Sequence, residues 1–580
     1  MDHRAAARRE RGFVIAWMAI VLVLLLSVAA FAVDLVHAYF EAERAQKAAD
    51  AAALAGAAQI PADTTCAHAT TTAHLLAADN KEADGVDRTV VTPRCSGADE
   101  MTVDVEHTFD TMFAKIIGID TLTVRRRAVA QYDPPLQMGS AVNYLGDVPS
   151  CPPGTVAFPV CKAQVGSPPA RLPSQHMWAQ IQGRDTDKSN GNPYTTNVCN
   201  TAVPTDGCNG AGADTNLQFD GNGEWFLIQN LTGGPLDVWI YDAQFVNTRP
   251  ECDEPDNSYS LLPYEQWKLN DPAVAALNTD PAYCTGDLQP AGGEPAETQF
   301  EMRGPAPHGL ADMSFDDYPA IDDPNCAPAS LPGFFTPDDA WDAGYTQYWH
   351  QWWHFCSLTG TSRGSLYAVH VTSPSGIGVN QFTILALHGT SAPTTDGDLS
   401  VFTRARLPLY ANNPVGGQTS RFYVARVLPS PSRDRTLNLE FFDLGDQNDN
   451  SPSVTATGTL SIVTQGVSSP SSFDCVFTDP PGSPPEGGPT DPRAPWGGPA
   501  DIRAASPCRL RWDKATWNGQ WVSVQIALKR QGSPGGYDCN TASYQNCWIQ
   551  VALTPDGSSK LSDATTWNAA MNGAPVRLVG

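Results

Sequence analysis

The chain has 580 residues, of which 17% are charged, with 48 glycines, 48 prolines and a formal net charge of −26. A chain this long exceeds what a single core fills, so roughly two to four domains are expected. The acidic balance excludes a nucleic-acid-binding surface, which needs clustered lysine and arginine, and no zinc-finger, RNP or basic-helix pattern occurs.

Arg4, Arg8, Arg9 and Arg11 precede an unbroken apolar run, Phe13–Val33, whose one polar side chain is Ser27. As a helix this run rises about 30 Å, enough to cross a bilayer core. Its far flank is led by Asp34, Glu41 and Glu43. The positive-inside rule then makes residues 1–12 an Arg-rich cytoplasmic tail, residues 13–33 a single transmembrane helix and the rest extracytoplasmic. A cleaved secretory signal is the rival, but its apolar core would be shorter. Here the helical pattern also continues through the alanine-rich stretch Glu41–Ala58, so an uncleaved anchor running on as one rod is expected.

All fourteen cysteines follow the apolar run: Cys66, Cys95, Cys151, Cys161, Cys199, Cys208, Cys252, Cys284, Cys326, Cys356, Cys475, Cys508, Cys539 and Cys547. An even count without a CxxC pair points to disulfides in an oxidising compartment rather than to metal. Pairing neighbours along the chain offers Cys66–Cys95, Cys326–Cys356 and Cys539–Cys547 among others, with connectivity left open by spacing alone.

The N-terminal residues also carry a likeness. Arg11-Gly12-Phe13, the apolar helix, Ala32-Val33-Asp34 and the run Gln46-Lys47-Ala48-Ala49-Asp50-Ala51-Ala52-Ala53-Leu54-Ala55-Gly56-Ala57 together resemble the N-terminal segment of TadE/TadG-like Flp pilus assembly proteins. Gly12, Asp34, Asp50 and Gly56 stand at its signature positions. Residues 101–130 are more loosely similar to that family's small globular part, through Val103-x-Val105, Phe113-Ala114, Gly118-Ile119 and the strand Leu122–Ala130. The resemblance implies work with the Tad secretion apparatus at the membrane. Processed pilins are cut after a glycine and carry a glutamate five residues into the mature chain; counted from Gly12, that place holds Trp17. Without the carboxylate that neutralises a neighbour's amine inside the membrane, the uncleaved TadG-like subgroup fits better. Larger TadG relatives carry a von Willebrand-type domain with a DxSxS metal site. Here Asp312-Met313-Ser314 is followed by Phe315-Asp316, so that chemistry is not carried over.

Residues 34–135 read as the helix plus a small α+β unit, with a short helix at Ala67–Asn80 and an end at Pro134-Pro135. From residue 140 onward turn-bounded apolar and aromatic runs take over, including Gly223–Gln229, Leu236–Tyr241, Leu366–Thr372, Gln381–Leu387, Arg421–Val427 and Thr436–Phe442. Their length and composition predict strands. The expected ectodomain is mainly β and disulfide-stapled, built of β-sandwich or jelly-roll-like modules at 140–330 and 331–470. A Pro/Gly-rich loop and C-terminal β segment follow at 471–580, with Thr478–Pro499 extended between Cys475 and Cys508. Strands at Trp521–Leu528 and Cys547–Leu553 and a short helix at Asp563–Met571 complete it. Two segments read as related hairpins: Trp225-Phe226-Leu227 leading to Leu236–Asp242, and Phe422-Tyr423-Val424 leading to Leu437–Asp443.

Few residues suggest chemistry. Gly360-Thr361-Ser362-Arg363-Gly364 matches GxSxG, but a nucleophile elbow needs a helix after it and a strand follows here. His350 and His354 have i, i+4 spacing among three tryptophans, yet the HExxH glutamate position is Gln351, so aromatic packing or a sugar-facing surface competes with zinc. Asp443, Asp446, Asn448 and Asp449 collect oxygen ligands suited to a structural Ca²⁺, the one cofactor the sequence suggests. Asp185-x-Asp187-x-Ser189-Asn190-Gly191 resembles an EF-hand opening with its glycine one place late; Asp and Asn are also ordinary turn formers. The resulting expectation is a single-pass bacterial membrane protein, non-enzymatic, whose partners are the bilayer and the Tad/Flp apparatus. The rivals are a surface adhesin or glycan-binding protein and, less favoured, an exported hydrolase.

Overall fold

A computed structural model describes residues 3–60, 66–96, 100–132, 136–148, 175–195, 218–248, 285–289, 293–306, 318–345, 348–349, 352–389, 397–404, 406–413, 417–430, 434–443, 457–465, 473–478, 508–513, 521–540, 546–557, 561–571 and 576–579. The chain forms two units, one of Met1–Pro134 with Gly573–Gly580 and one of Pro135–Asn572.

In the first unit, α1 (His3–Gln59) is one continuous helix of 57 residues. Beyond the apolar run it becomes amphipathic in an unusual way, because the buried stripe is almost pure alanine. Ala45, Ala49, Ala52, Ala53 and Ala57 are fully buried, and so are Ala69, Ala73 and Ala77 of α2 (Ala67–Asp79). The i, i+3, i+4 spacing puts each set on one face. With nothing past Cβ on either side, the two helices approach closely. Three antiparallel strands, β1 (Thr89–Cys95), β2 (Glu100–Asp110) and β3 (Thr121–Tyr132), cover this pair. Met101, Val103, Val105, Ala128 and Ala130 complete its core. The Cys66–Cys95 disulfide ties the start of α2 to the end of β1.

The second unit is almost entirely strand: β4 (Gln137–Gly139), β5 (Tyr144–Leu145), β6 (Met177–Gln182), β7 (Glu224–Asn230), β8 (Gly234–Tyr241), β9 (Thr298–Arg303) and β10 (Ala329–Leu331), then β11 (Trp352–Thr361), β12 (Ser365–Thr372), β13 (Val379–Leu387), β14 (Leu399–Arg404), β15 (Arg406–Asn413) and β16 (Ser420–Arg426), and finally β17 (Arg435–Phe442), β18 (Thr457–Gln465), β19 (Phe473–Thr478), β20 (Cys508–Asp513), β21 (Trp521–Leu528), β22 (Trp548–Pro555) and β23 (Leu561–Met571). They make two sheets, ordered β10-β9-β12-β7-β14-β4-β16-β22-β18-β20 and β11-β8-β13-β6-β15-β23-β17-β21-β19, with β5 paired to β13. Strand alternation sets the faces. Leu437, Leu439 and Phe441 of β17 are buried in the core while Asn438 and Glu440 between them are only part-buried. One hydrophobic cluster runs from Leu136 to Ala569. A last strand, β24 (Val576–Leu578), pairs with β3 and so belongs to the first unit.

The expected split into modules at 140–330 and 331–470 is corrected by this pairing. β7 lies between β12 and β14, and β8 between β11 and β13, so strands from both spans share both sheets. A repeat is nevertheless present, with other boundaries. β12 sits between β7 and β9 as β22 sits between β16 and β18; β13 pairs β8 and β6 as β23 pairs β17 and β15. At the centre β14 joins β7 and β4 joins β16, so each half lends a strand to the other. The two related segments therefore occupy equivalent places, but neither is a hairpin: β7 and β8, and likewise β16 and β17, pass from one sheet to the other. Both end on a fully buried aspartate with positive φ, Asp242 at 55° and Asp443 at 58°. The helix expected at Asp563–Met571 is instead strand β23. Thr565, Thr566 and Trp567 suit a strand, and one neighbour on each side, β15 and β17, offers it a ladder. The Cys326–Cys356 and Cys539–Cys547 bridges form as neighbour pairing suggests. The remaining cysteine side chains and most of Thr478–Pro499 lie outside the described residues.

Candidate functional site

The residues singled out at the N terminus are spread along α1, and two of them, Asp34 and Gly56, lie where that helix packs against the rest of the first unit. Among the described residues one helix is long and apolar enough to cross a membrane, Val14–Gln59, and its apolar window, of mean hydropathy 2.8, is wholly unburied. At the end of the apolar run the surroundings change abruptly. Asp34, only 2% exposed, accepts backbone N–H bonds from Met112 (2.7 Å), Phe113 (3.0 and 3.2 Å) and Ala114 (2.6 Å). These amides open the short 3₁₀ turn Ala114–Ile117, whose first donors have no partner within the turn. A carboxylate there satisfies them and meets the positive end of the turn's dipole. The signature aspartate is thus a clasp between α1 and the β2–β3 connection.

One turn further along α1, an ion-pair network closes over the helix. Glu41 meets His37 (3.2 Å) and Arg44 (2.9 Å), and Arg44 reaches Glu82 (2.7 Å). Glu82 is fully buried and also meets His107 at 3.2 Å, while the Thr89 hydroxyl donates to Glu82 at 3.0 Å. Buried carboxylates need such partners to offset lost hydration. Asp50 accepts from Gln46 at 2.8 Å. Gly56 sits where a Cβ would lie 2.9 Å from Met101 Cε and 3.1 Å from the Ala69 carbonyl oxygen. Close approach of α1 to α2 and β2 therefore explains that glycine. Gly12 lies within α1.

The other candidates do not gather into a catalytic centre. Ser362 lies in the turn between β11 and β12. His354 is on strand β11, not a helix; it stacks on Trp239 at 4.1 Å and contacts Asp237 at 2.7 Å, while His350 lies outside the described residues. Asp443 is buried; Asp446, Asn448 and Asp449 lie outside the described residues, so the Ca²⁺ loop remains an expectation. Asp185 accepts from the Gly376 amide at 3.2 Å, a long-range contact that ties its loop to the one before β13. Among the described residues no group of three or more His, Cys, Asp or Glu side chains is arranged to hold a metal.

One feature that the sequence did not disclose is a cleft of about 560 Å³ in the second unit. Its floor is a cross-strand row on the outer side of one sheet: Arg406 on β15 opposite Asn568 on β23, which is opposite Glu440 on β17. Arg406 pairs with Glu224 (2.8 Å) and Asp220 (2.9 Å) and lies 4.5 Å over the Tyr194 ring. Burial raises the Glu224 carboxyl above its ordinary value despite Arg406, and burial does the same to Glu440. Trp225 and Arg404 form another wall. Three separate strands supply this row, which only the pairing register brings together.

Comparison with known proteins places the likeness at the N-terminal helix. Residues 12–59 match the Tad family model, a TadE/G-like Flp pilus-assembly domain. No curated protein matches the chain. The matched stretch starts at Gly12, contains the apolar run, the Asp34 clasp and the alanine face, and ends where α1 ends. Residues 12–59 are thus similar to the TadE/G-like Flp pilus-assembly family.

Proposed function

We propose that the protein is a membrane-anchored component of Flp/Tad pilus assembly whose ectodomain acts as a non-enzymatic scaffold. The observation that carries this reading is the Tad segment itself, one unbroken helix that joins the apolar run to a folded unit through Asp34 and the alanine face. A continuous helix transmits position from the bilayer to the ectodomain without a flexible joint. The arginines before the apolar run favour a cytoplasmic N terminus with the disulfide-bearing units outside. The test is complementation of a deletion strain, with Flp pili counted by electron microscopy. Wild type should restore pili; Asp34→Ala, which leaves three amides without their acceptor, should restore few at equal protein level. Normal piliation in the deletion strain would refute the reading.

The 560 Å³ cleft favours a second reading, a glycan-binding surface protein. Its planar donors and acceptors (Arg406, Asn568, Glu440) beside Tyr194 and Trp225 suit a hydroxyl-rich ligand, and the carboxylates offset the arginines. Glycan-array binding by the full-length protein, abolished by Ala570→Trp in the cleft, would support it; an array without signal would remove it.

A further inference from the structure

The first unit exposes a concentrated apolar surface beside the end of the membrane helix. In the connection from β2 to β3, Met112, Phe113, Ile116, Ile117 and Ile119 are 50%, 42%, 80%, 72% and 41% exposed. Within Met112–Ile119 the one charged residue is Lys115, and Asp110 and Asp120 bracket the segment. Water-facing isoleucines at such exposure are costly, at roughly 25 cal/mol for each Å² left in water. A contiguous apolar patch of this kind on a soluble face marks an interaction surface.

Its position selects the occupant. Three of the segment's backbone amides bond to Asp34, the residue directly after the apolar run, so the loop is held at the depth where the helix leaves the hydrocarbon. The helix itself stays apolar past that point: Leu35, Val36, Tyr39 and Phe40 are 63%, 54%, 62% and 64% exposed, while Asp34, Ala42 and Ala45 on the other side are buried. From Asp34 to Phe40 is about 9 Å of helix, close to the thickness of one interfacial layer. An aromatic pair and a lysine at that level are what a headgroup region accommodates, the lysine extending toward the phosphates.

We infer that Met112–Ile119 is a second membrane contact, inserted into the outer interfacial layer beside α1, so that the first unit lies against the lipid surface rather than standing clear of it on the rod. The occupant is lipid because the patch is continuous with the lipid-facing helix. The inference rests on α1 spanning the bilayer, and the Asp34 clasp then fixes both depth and orientation: one helix alone can tilt and rotate, whereas a helix with a tethered apolar loop cannot rotate freely.

No cysteine is free among the described residues, and the protein without an added cysteine, labelled in parallel, supplies the background signal. The full-length protein, carrying Ile116→Cys or Ile117→Cys with a nitroxide label, is placed in phosphatidylcholine/phosphatidylglycerol vesicles. Power-saturation EPR then compares access to oxygen with access to a water-soluble nickel chelate. Leu24→Cys reports the span, and Lys47→Cys, about 20 Å beyond Asp34 along the helix, reports water. Labels at 116 and 117 should favour oxygen over nickel, with a ratio between those of Leu24 and Lys47 and at least severalfold above the Lys47 ratio. If Leu24 reports lipid while 116 and 117 report water, the second contact is wrong and the anchor stands. If Leu24 itself reports water, the anchor reading fails first. Shielding of 116 and 117 that appears only when Tad membrane proteins are added would assign the patch to protein and overturn the lipid contact.

Discussion

Gly56 offers a test in which two effects of known size oppose each other. In an ordinary helix interior, replacing glycine by alanine stabilises by about 1 kcal/mol, because glycine has more backbone freedom to lose. At position 56 the new methyl would lie 2.9 Å from Met101 Cε, 3.1 Å from Met101 Cγ and 3.1 Å from the Ala69 carbonyl oxygen. Met101 is fully buried and cannot swing into water, and the carbonyl belongs to the backbone of α2. Overpacking of this kind costs about 1–3 kcal/mol. The clash should therefore win, and Gly56→Ala should destabilise the helix pair by about 0–2 kcal/mol, the difference of those two terms. Native-state hydrogen exchange at the α2 amides, Ala69 to Ala77, reads this locally, with exchange faster by up to roughly 30-fold. Met101→Ala removes both methionine contacts and costs about 2–5 kcal/mol by itself. In that background Gly56→Ala should turn neutral or stabilising, a coupling of about 1–3 kcal/mol. Slower α2 exchange in Gly56→Ala alone, or strict additivity with Met101→Ala, would refute the packing account.

Further outcomes concern the second unit and the pH response. The Cys326–Cys356 bridge closes a separation of 30 residues and Cys539–Cys547 one of 8. Loop-closure entropy assigns roughly 3–4 kcal/mol to the first and 2–3 to the second, so the Cys326→Ser/Cys356→Ser pair should lower urea stability more; the reverse order would count against the entropic account. Two carboxyls should pull stability in opposite directions with pH. Burial holds Glu440 above its ordinary 4.5, so the folded state binds that proton more tightly; its contribution is full below about 4.5 and disappears as pH rises through the raised value. The Arg127 hydrogen bond, with Arg94, holds Asp104 below 3.8, so its contribution is full above that value and lost as pH falls through the lowered one. Stability-versus-pH curves should flatten on the first flank in Glu440→Gln and on the second in Asp104→Asn. An unchanged Glu440→Gln curve would contradict the part-buried placement of that residue.

Local chemistry was legible in advance wherever it is local in sequence. The apolar length and the alanine run determined one helix long enough to cross a membrane and its continuation as α1, because helix geometry depends on neighbours within a few residues. The strands of the ectodomain and three disulfides between nearby cysteines were readable for the same reason. Even the related pair of segments ending at Asp242 and Asp443 was visible as pattern.

What the sequence by itself could not decide is which strands meet. A strand presents the same period-two pattern whether it pairs with its neighbour or with one far along the chain. Thus β7 and β8 read as a hairpin yet join different sheets, the two halves exchange β4 and β14, and a polar row from Arg406 to Glu440 appears only once the register is set. Likewise Asp34 was recognisable as a signature residue, but its partners, Met112 to Ala114, lie far along the chain. The sequence determined that the chain carries a long apolar helix and a β-rich second unit; tertiary structure decided what that helix is clasped to, since long-range pairing depends on shape complementarity that no local pattern encodes.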